Sequence, residues 1–170
     1  MGYPRTSARL AGRLVLLLLL TLTAVAVRAE SFTLTVSGNI GQFTDEQKHV
    51  YVLTEKDLLA MPQYTIDTST SWTKKAQFAG PRLSDVLKRV GARGNALEFH
   101  SLDDYAYTIP ADDATRYGVI LARTMNGKPL QVKDFGPLFL IYPRDRYPDE
   151  LRTPVAEAKF IWQVTKIVVK

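Results

Sequence analysis

Apolar and polar residues alternate at every second position along several short stretches of the chain, a spacing that is typical of half-buried β-strands. The alternation predicts seven strands, at residues 32–36, 50–53, 97–100, 105–109, 119–122, 138–142 and 164–169. Gly, Pro, Asn and Asp, which favour turns, are common between these stretches. Strands should therefore make up most of the regular structure.

Two short helices are predicted between the strands. Thr54 can cap a helix over residues 55–60, because Asp57 occupies the capping-box position and Pro62 cannot continue the helix. A second helix ends near Gly91, a residue that favours helix termination. Its apolar face is formed by Leu83, Val86, Leu87 and Val90.

Two turns complete the predicted architecture. Residues 102–105 and 125–128 are rich in turn-forming residues, and the Asn126-Gly127 pair is the stronger hairpin signal. No repeat, low-complexity tract or long linker divides the chain after residue 30. We therefore expect one strand-rich α+β domain.

The first 29 residues have the features of a secretory signal peptide. Arg5, Arg9 and Arg13 precede an apolar run over residues 14–27. Val27 and Ala29 then occupy the positions that a signal peptidase recognises. We expect cleavage after Ala29, which leaves a domain over residues 30–170 in the periplasm; a retained N-terminal anchor is the alternative. The segment contains no pair of adjacent arginines, so the twin-arginine export route for folded proteins is not indicated.

Charge and composition exclude several functions. The 170-residue chain has 22 basic and 17 acidic residues, and four of the basic ones leave with the signal peptide. The remaining domain is almost neutral, so its charge gives no reason to expect a nucleic-acid partner. There is no cysteine, and His49 and His100 are the only histidines. Disulfides, thiolate metal ligands, a histidine-based zinc site and a Ser-His-Asp triad are therefore not expected.

Five segments resemble, in the same order, the molybdopterin-binding domain of sulfite oxidase-like oxidoreductases. The resemblance extends from about residue 32 to residue 170 and implies the fold of that family. The segments are WTKKAQFAGPRLSDVL (72–87), DDYAYTIP (103–110), LARTMNGKPL (121–130), GPLFLIYP (136–143) and FIWQVTKIVVK (160–170).

The chain departs from these enzymes at two functional positions. The resemblance places Thr68 where the enzymes have the cysteine that binds molybdenum, and a neutral hydroxyl cannot replace a soft thiolate as a ligand. It also places Phe139 where the enzymes tend to have an arginine for the cofactor phosphate or an anionic substrate. Together with the lack of a twin-arginine export signal, these differences favour a binding protein without metal over a redox enzyme.

The chain is more similar to small periplasmic pterin-binding proteins of the PruR type. The segments that carry this likeness are YPRDRYP (142–148) and Trp162-Gln163. The likeness implies that a pterin is bound without molybdenum. It also implies a sensory role, exerted on the periplasmic domain of a transmembrane diguanylate cyclase or phosphodiesterase.

The stretch around Trp72 is the first candidate pterin site. A pterin is a flat ring with a donor-rich edge, so it needs an aromatic side chain, a carboxylate for the paired donors, and a cation or N–H group for the carbonyl oxygen. Trp72 can stack on the ring, and the hydroxyls of Thr68, Ser69, Thr70 and Ser71 can approach its edge. The alternative is a core tryptophan at the end of a strand, with the hydroxyls facing water.

Residues 142–152 are the second candidate. Asp145 or Asp149 can accept the amino and N–H donors, and Arg144 can face the carbonyl. The alternative is a solvated loop whose charges pair with one another. Further aromatic candidates, each more typical of packing than of ligand contact, are Tyr105 and Tyr147.

Two residues near the last strand are expected to be structural. Lys159 is predicted to be exposed, and Trp162 is predicted to belong to the strand and to the core.

Three functions follow from these interpretations. The favoured one is an exported pterin receptor in signalling. The alternatives are a molybdopterin-dependent oxidoreductase with Thr68 beside the metal, and an adaptor that kept the fold but lost its ligand.

Overall fold

The computed structural model describes Gly2 and residues 32–170, which form a strand-rich α+β domain. The predicted fold class is therefore confirmed. Apart from Gly2, the predicted signal peptide lies outside the described residues and stays a prediction.

The described residues form eleven strands and five short helices. The strands are β1 (Thr33–Gly38), β2 (Val50–Thr54), β3 (Gln63–Thr68), β4 (Ala76–Pro81), β5 (Ala96–Ser101), β6 (Ala106–Pro110), β7 (Ile120–Ala122), β8 (Thr124–Met125), β9 (Lys128–Pro129), β10 (Phe139–Ile141) and β11 (Val164–Val169). The helices are α1 (Glu55–Leu59), α2 (Leu83–Arg89), α3 (Asp113–Arg116), α4 (Pro148–Leu151) and α5 (Pro154–Glu157). All seven predicted strands and both predicted helices are present, with bounds within two residues of those expected.

The largest sheet has five strands in the order β2-β1-β11-β5-β6. The last strand, β11, lies in its centre, parallel to β1 and antiparallel to β5. The alternation buries one face: Leu34 and Val36 of β1 are fully buried and pack in the same core as Phe99 and Ile167. The C-terminal strand thus connects the two halves of the sheet.

A four-stranded sheet, β3-β4-β8-β9, and the β10-β7 pair form the other side of the core. The β3–β4 hairpin was not predicted, because polar residues such as Asp67 and Gln77 obscure its alternation. Gly80 allows β4 to approach β7 closely, since a Cβ atom at this position would lie only 2.0 Å from the carbonyl oxygen of Leu121. This contact joins the two sheets.

Capping and turn chemistry agree with the sequence. Thr54 accepts the Asp57 N–H, and Asp57 accepts the Thr54 N–H, which completes the predicted capping box of α1. Asn126 and Gly127 both have positive φ angles, 51° and 74°, and connect β8 to β9 as a hairpin. No helix among residues 32–170 is long and apolar enough to span a membrane.

Three four-residue helices were missed. Two of them, α4 and α5, lie at and just after the end of the segment predicted to be a charged loop, and each begins with a proline, Pro148 or Pro154. Proline is favourable at the first helical position because its missing N–H has no partner there in any case. Four residues are too few for an apolar period to be recognised.

Candidate functional site

The hydroxyl-rich stretch begins where β3 ends. Thr68 is fully buried, and its Oγ1 accepts the Asp145 N–H at 3.1 Å and donates to the Ser69 carbonyl at 3.4 Å. Thr70 is also buried, and its Oγ1 accepts the N–H groups of Trp72 and Thr73 at 3.1 and 3.0 Å. These two threonines therefore order the backbone of the loop that carries Trp72.

The Trp72 side chain is 45% exposed and lies in the loop between β3 and β4. The alternative that it is a core tryptophan is therefore wrong. Its ring meets the ring of Trp162 edge to face, with centroids 4.7 Å apart and planes at 76°. Two nearly perpendicular indole rings thus form the corner of a surface cavity.

This cavity has a volume of about 240 Å³. It is mainly aromatic and apolar, with a few polar groups at its edge; its lining residues are Trp72, Ser101, Asp103, Tyr105, Glu157, Ala158, Phe160, Ile161 and Trp162. Cavities for drug-sized ligands usually measure about 300–1,000 Å³, so this one suits a compact ring system.

Trp162 is the main lining residue that the sequence assigned incorrectly. It was expected inside the last strand and in the core, but β11 begins only at Val164, and Trp162 is half-buried with one side on the cavity. The Ser101 hydroxyl donates to its carbonyl oxygen at 2.9 Å and fixes this part of the chain against β5.

An aromatic cluster lies behind the cavity. Phe139 is fully buried; its ring centroid is 5.0 Å from that of Phe135, 5.9 Å from Phe78 and 6.4 Å from Trp162. The position that resembles the arginine of the enzymes therefore holds a ring that packs against the cavity wall. A guanidinium would have no space or partner among these rings.

Asp145 joins the two stretches predicted to form the site. Its carboxylate accepts the Ser69 N–H at 3.0 Å, the Ser69 hydroxyl at 2.8 Å and Arg152 at 3.0 Å. Burial acts to raise the pKa of Asp145, but the hydrogen bonds from Ser69 and Arg152 outweigh it and hold the pKa below its ordinary value. The predicted residues Ser69 and Asp145 are thus brought together, but they bond each other.

Arg144, from the same segment, contacts a residue of the cavity wall. Its guanidinium is largely buried and donates to Glu157 Oε1 at 3.3 Å, and its buried Nε has no hydrogen-bond partner among the described residues. Glu157 lies on α5 and lines the cavity. The sequence did not single out Glu157, because an acid in a short helix gives no signal of its own.

The other predicted residues lie away from the cavity lining. Ser71 and Asp149 are exposed, and Tyr147 is half-buried with its ring edge-on to Tyr117 at 5.3 Å. Lys159 was predicted to be exposed and is not. Its ammonium donates to the buried carboxylate of Asp113 at 2.7 Å, and only 18% of the lysine side chain is accessible.

Residues 22–145 match the sequence model of the oxidoreductase molybdopterin-binding domain family. The match covers most of the chain. This chain belongs to that family. The predicted resemblance is confirmed, whereas the closer likeness to PruR-type proteins stays a prediction.

One solved structure supports the same fold for this molybdopterin-binding domain. This chain is similar to the crystal structure of the sulfane dehydrogenase SoxCD from Paracoccus pantotrophus, with a TM-score of 0.59 and 19% identity. The match covers 81% of this chain and 38% of that chain. At this identity the likeness shows the fold alone. No curated protein matches the chain.

The hydroxyl of Thr68 does not fit the metal of such a cofactor. The Thr68 hydroxyl accepts the N–H of Asp145 and donates to the carbonyl of Ser69, and a neutral hydroxyl does not replace a thiolate as a molybdenum ligand. Residues 32–170 contain no group of three His, Cys, Asp or Glu side chains that could hold a metal ion. The ring of a pterin does fit the cavity, because Trp72 and Trp162 supply apolar faces and Glu157 an acceptor.

Proposed function

We propose that this molybdopterin-binding domain is a receptor that holds a pterin ring in the cavity between Trp72 and Trp162. The observation that carries the proposal is the pair of perpendicular indole rings at a cavity of about 240 Å³, with acids at its edge. Family membership supports it, because molybdopterin is itself a pterin. Stacking on one ring leaves the other to close the side of the site.

Glu157 is the carboxylate best placed for the donor edge of the pterin. It lines the cavity, and Arg144 is its one ion-pair partner among the described residues, at Oε1. Asp145, which was expected in this role, has its carboxylate occupied by Ser69 and Arg152. Glu157 can therefore accept the paired amino and ring N–H donors in charge-assisted hydrogen bonds.

We further propose that the bound pterin carries no molybdenum and that the protein is not an enzyme. The bonded hydroxyl of Thr68 and the buried ring of Phe139 support this proposal, since they stand where the resemblance places a metal ligand and an anion-binding arginine. Metal analysis of the protein isolated from the periplasm tests it. Stoichiometric molybdenum would contradict the proposal and favour the oxidoreductase alternative.

The proposed biological role is sensory. We expect the exported domain to dock, when loaded with pterin, on the periplasmic domain of a transmembrane diguanylate cyclase or phosphodiesterase. When the ligand bonds to Glu157, the ion pair between Glu157 and Arg144 weakens. Arg144 belongs to the segment that continues into α4, so this segment is where the loaded state would differ. A difference of about 1–3 kcal/mol between the docking affinities of the two states is enough for regulation.

Tryptophan fluorescence gives a direct test of binding. The chain has two tryptophans, and both line the cavity, so the whole indole signal reports on this site. Adding a reduced pterin to apo protein should quench the emission with saturation, and Trp72→Ala should weaken binding at least about tenfold through the lost stacking contact. Phe43→Ala removes a partly exposed ring outside the cavity and is the matched control.

The docking role needs a separate measurement. Calorimetric titration of the purified periplasmic domain of the partner with apo and pterin-loaded protein should give affinities that differ by at least about fivefold. Equal affinities would contradict the sensory role. Saturable docking by a protein that takes up no pterin would favour the adaptor alternative.

A further inference from the structure

We infer that the cavity selects its pterin by charge, accepting uncharged or cationic rings and rejecting rings with an anionic substituent. The inference rests on the proposed pterin site and concerns its specificity. The residues that would determine this specificity are Asp103 and Glu157.

The charges at the cavity wall are of one sign. Asp103 and Glu157 are acidic, and none of the residues that line the cavity is basic. Asp103 lies in the turn between β5 and β6, where its Oδ1 accepts the Tyr105 N–H at 3.2 Å. This bond restrains the carboxylate at the Tyr105 backbone. An anion that enters the cavity therefore meets two negative charges.

An ion pair compensates for only one of these acids. Arg144 is paired with Glu157, and only 14% of its side chain is accessible. Asp103 has no ion-pair partner among residues 32–170. The wall formed by Asp103 and Glu157 thus keeps a net negative charge at neutral pH.

The aromatic residues act in the same direction. The faces of indole and phenol rings carry negative electrostatic potential, which attracts cations and repels anions. Trp72, Tyr105 and Trp162 contribute such rings to the cavity. The buried ring of Phe139 stands where the resemblance places an arginine for the cofactor phosphate, so the site lacks that cation as well.

A matched pair of probes tests the inference. The reduced tetrahydro forms of 6-hydroxymethylpterin and pterin-6-carboxylate have the same ring and differ in one substituent, which is neutral in the first and anionic in the second. Titration of the tryptophan fluorescence should show that the carboxylate binds at least about tenfold more weakly at low salt. The difference should shrink toward about twofold in 0.5 M salt, because salt screens partly exposed charges.

Isosteric variants identify the residues responsible. Asp103→Asn keeps the oxygen that accepts the Tyr105 N–H and removes the charge, so it should reduce the discrimination between the two probes at least about threefold. Glu157→Gln should weaken the neutral probe about tenfold, because it loses charge-assisted bonds to the donor edge. Glu46→Gln removes an exposed acid that does not line the cavity and serves as the control.

The outcomes separate this inference from the proposed function. Equal binding of the two probes, or tighter binding of the carboxylate, would overturn charge selection and leave the pterin site standing. Discrimination that persists unchanged in both acid variants would overturn the assignment to Asp103 and Glu157. If neither probe binds at millimolar concentration, the proposed pterin site falls, and the inference falls with it.

Discussion

The bond between Asp145 and Ser69 should determine how firmly the Trp72 loop is held. Replacing Asp145 by alanine removes the acceptor of two hydrogen bonds from Ser69 and one from Arg152. The two Ser69 donors lie in a part-buried contact between segments 76 residues apart in sequence. Their loss therefore loosens the connection between the loop after β3 and the segment after β10, which keeps the bond from the backbone N–H of residue 145 to Thr68 Oγ1.

The expected cost follows from the three bonds. A hydrogen bond to a charged group contributes about 1.5–3 kcal/mol net, and the two bonds to Ser69 share one residue, so their joint loss should cost about 2–3 kcal/mol. The Arg152 side chain is half exposed, and its ion pair adds less than about 1 kcal/mol. Asp145→Ala should thus lower the free energy of unfolding by about 3 kcal/mol and Tm by about 10 °C.

Urea unfolding followed by far-UV circular dichroism measures this change. Asp149→Ala is the control, because Asp149 is an exposed acid in the same segment, and its removal should change the stability by less than about 0.5 kcal/mol. The loosened loop in Asp145→Ala should also weaken pterin binding. If both variants unfold at the same urea concentration, the proposed role of Asp145 as the connection to the Trp72 loop is refuted.

Three other perturbations have clear expected results. Lys159→Met leaves the buried Asp113 carboxylate without its cation, so thermal unfolding should show a loss of about 3 kcal/mol. Phe139→Arg buries an unpaired guanidinium in the aromatic cluster and should cost more than about 4 kcal/mol, seen as failure to give a cooperative unfolding transition. The hydrogen bond from the Tyr117 hydroxyl to Glu150 raises the pKa of Tyr117 to about 12. The stability from this raised pKa is complete below about pH 10 and is lost as the pH rises through 12, so the free energy of unfolding should fall less steeply over this range in Tyr117→Phe.

Local patterns predicted the elements that have a strong period or a clear cap. Alternation identified the five strands of the largest sheet, and Thr54 with Asp57 identified the start of α1, because both signals depend on neighbours in sequence. The β3–β4 hairpin was missed since its exposed positions are strongly polar. The four-residue helices α4 and α5 were missed because each spans barely one helical turn, which is too short for the period to repeat.

The candidate site was predicted only in part. Trp72 and Tyr105 do line the cavity, and the polar residues that flank Trp72 in sequence indicated that its ring is not in the core. The pairing of Asp145 with Ser69 and the approach of Glu157 to the cavity depend on contacts between residues distant in sequence, which no local pattern contains. The same holds for Trp162, whose position depends on where β11 begins.

The most direct test of the central claim is native mass spectrometry of the protein purified from the periplasm of cells that produce it, with metal analysis of the same sample. We expect an added mass equal to one pterin and no molybdenum, and loss of that mass in Trp72→Ala. A molybdopterin mass with stoichiometric molybdenum, or a pterin retained undiminished without the Trp72 ring, would contradict the account.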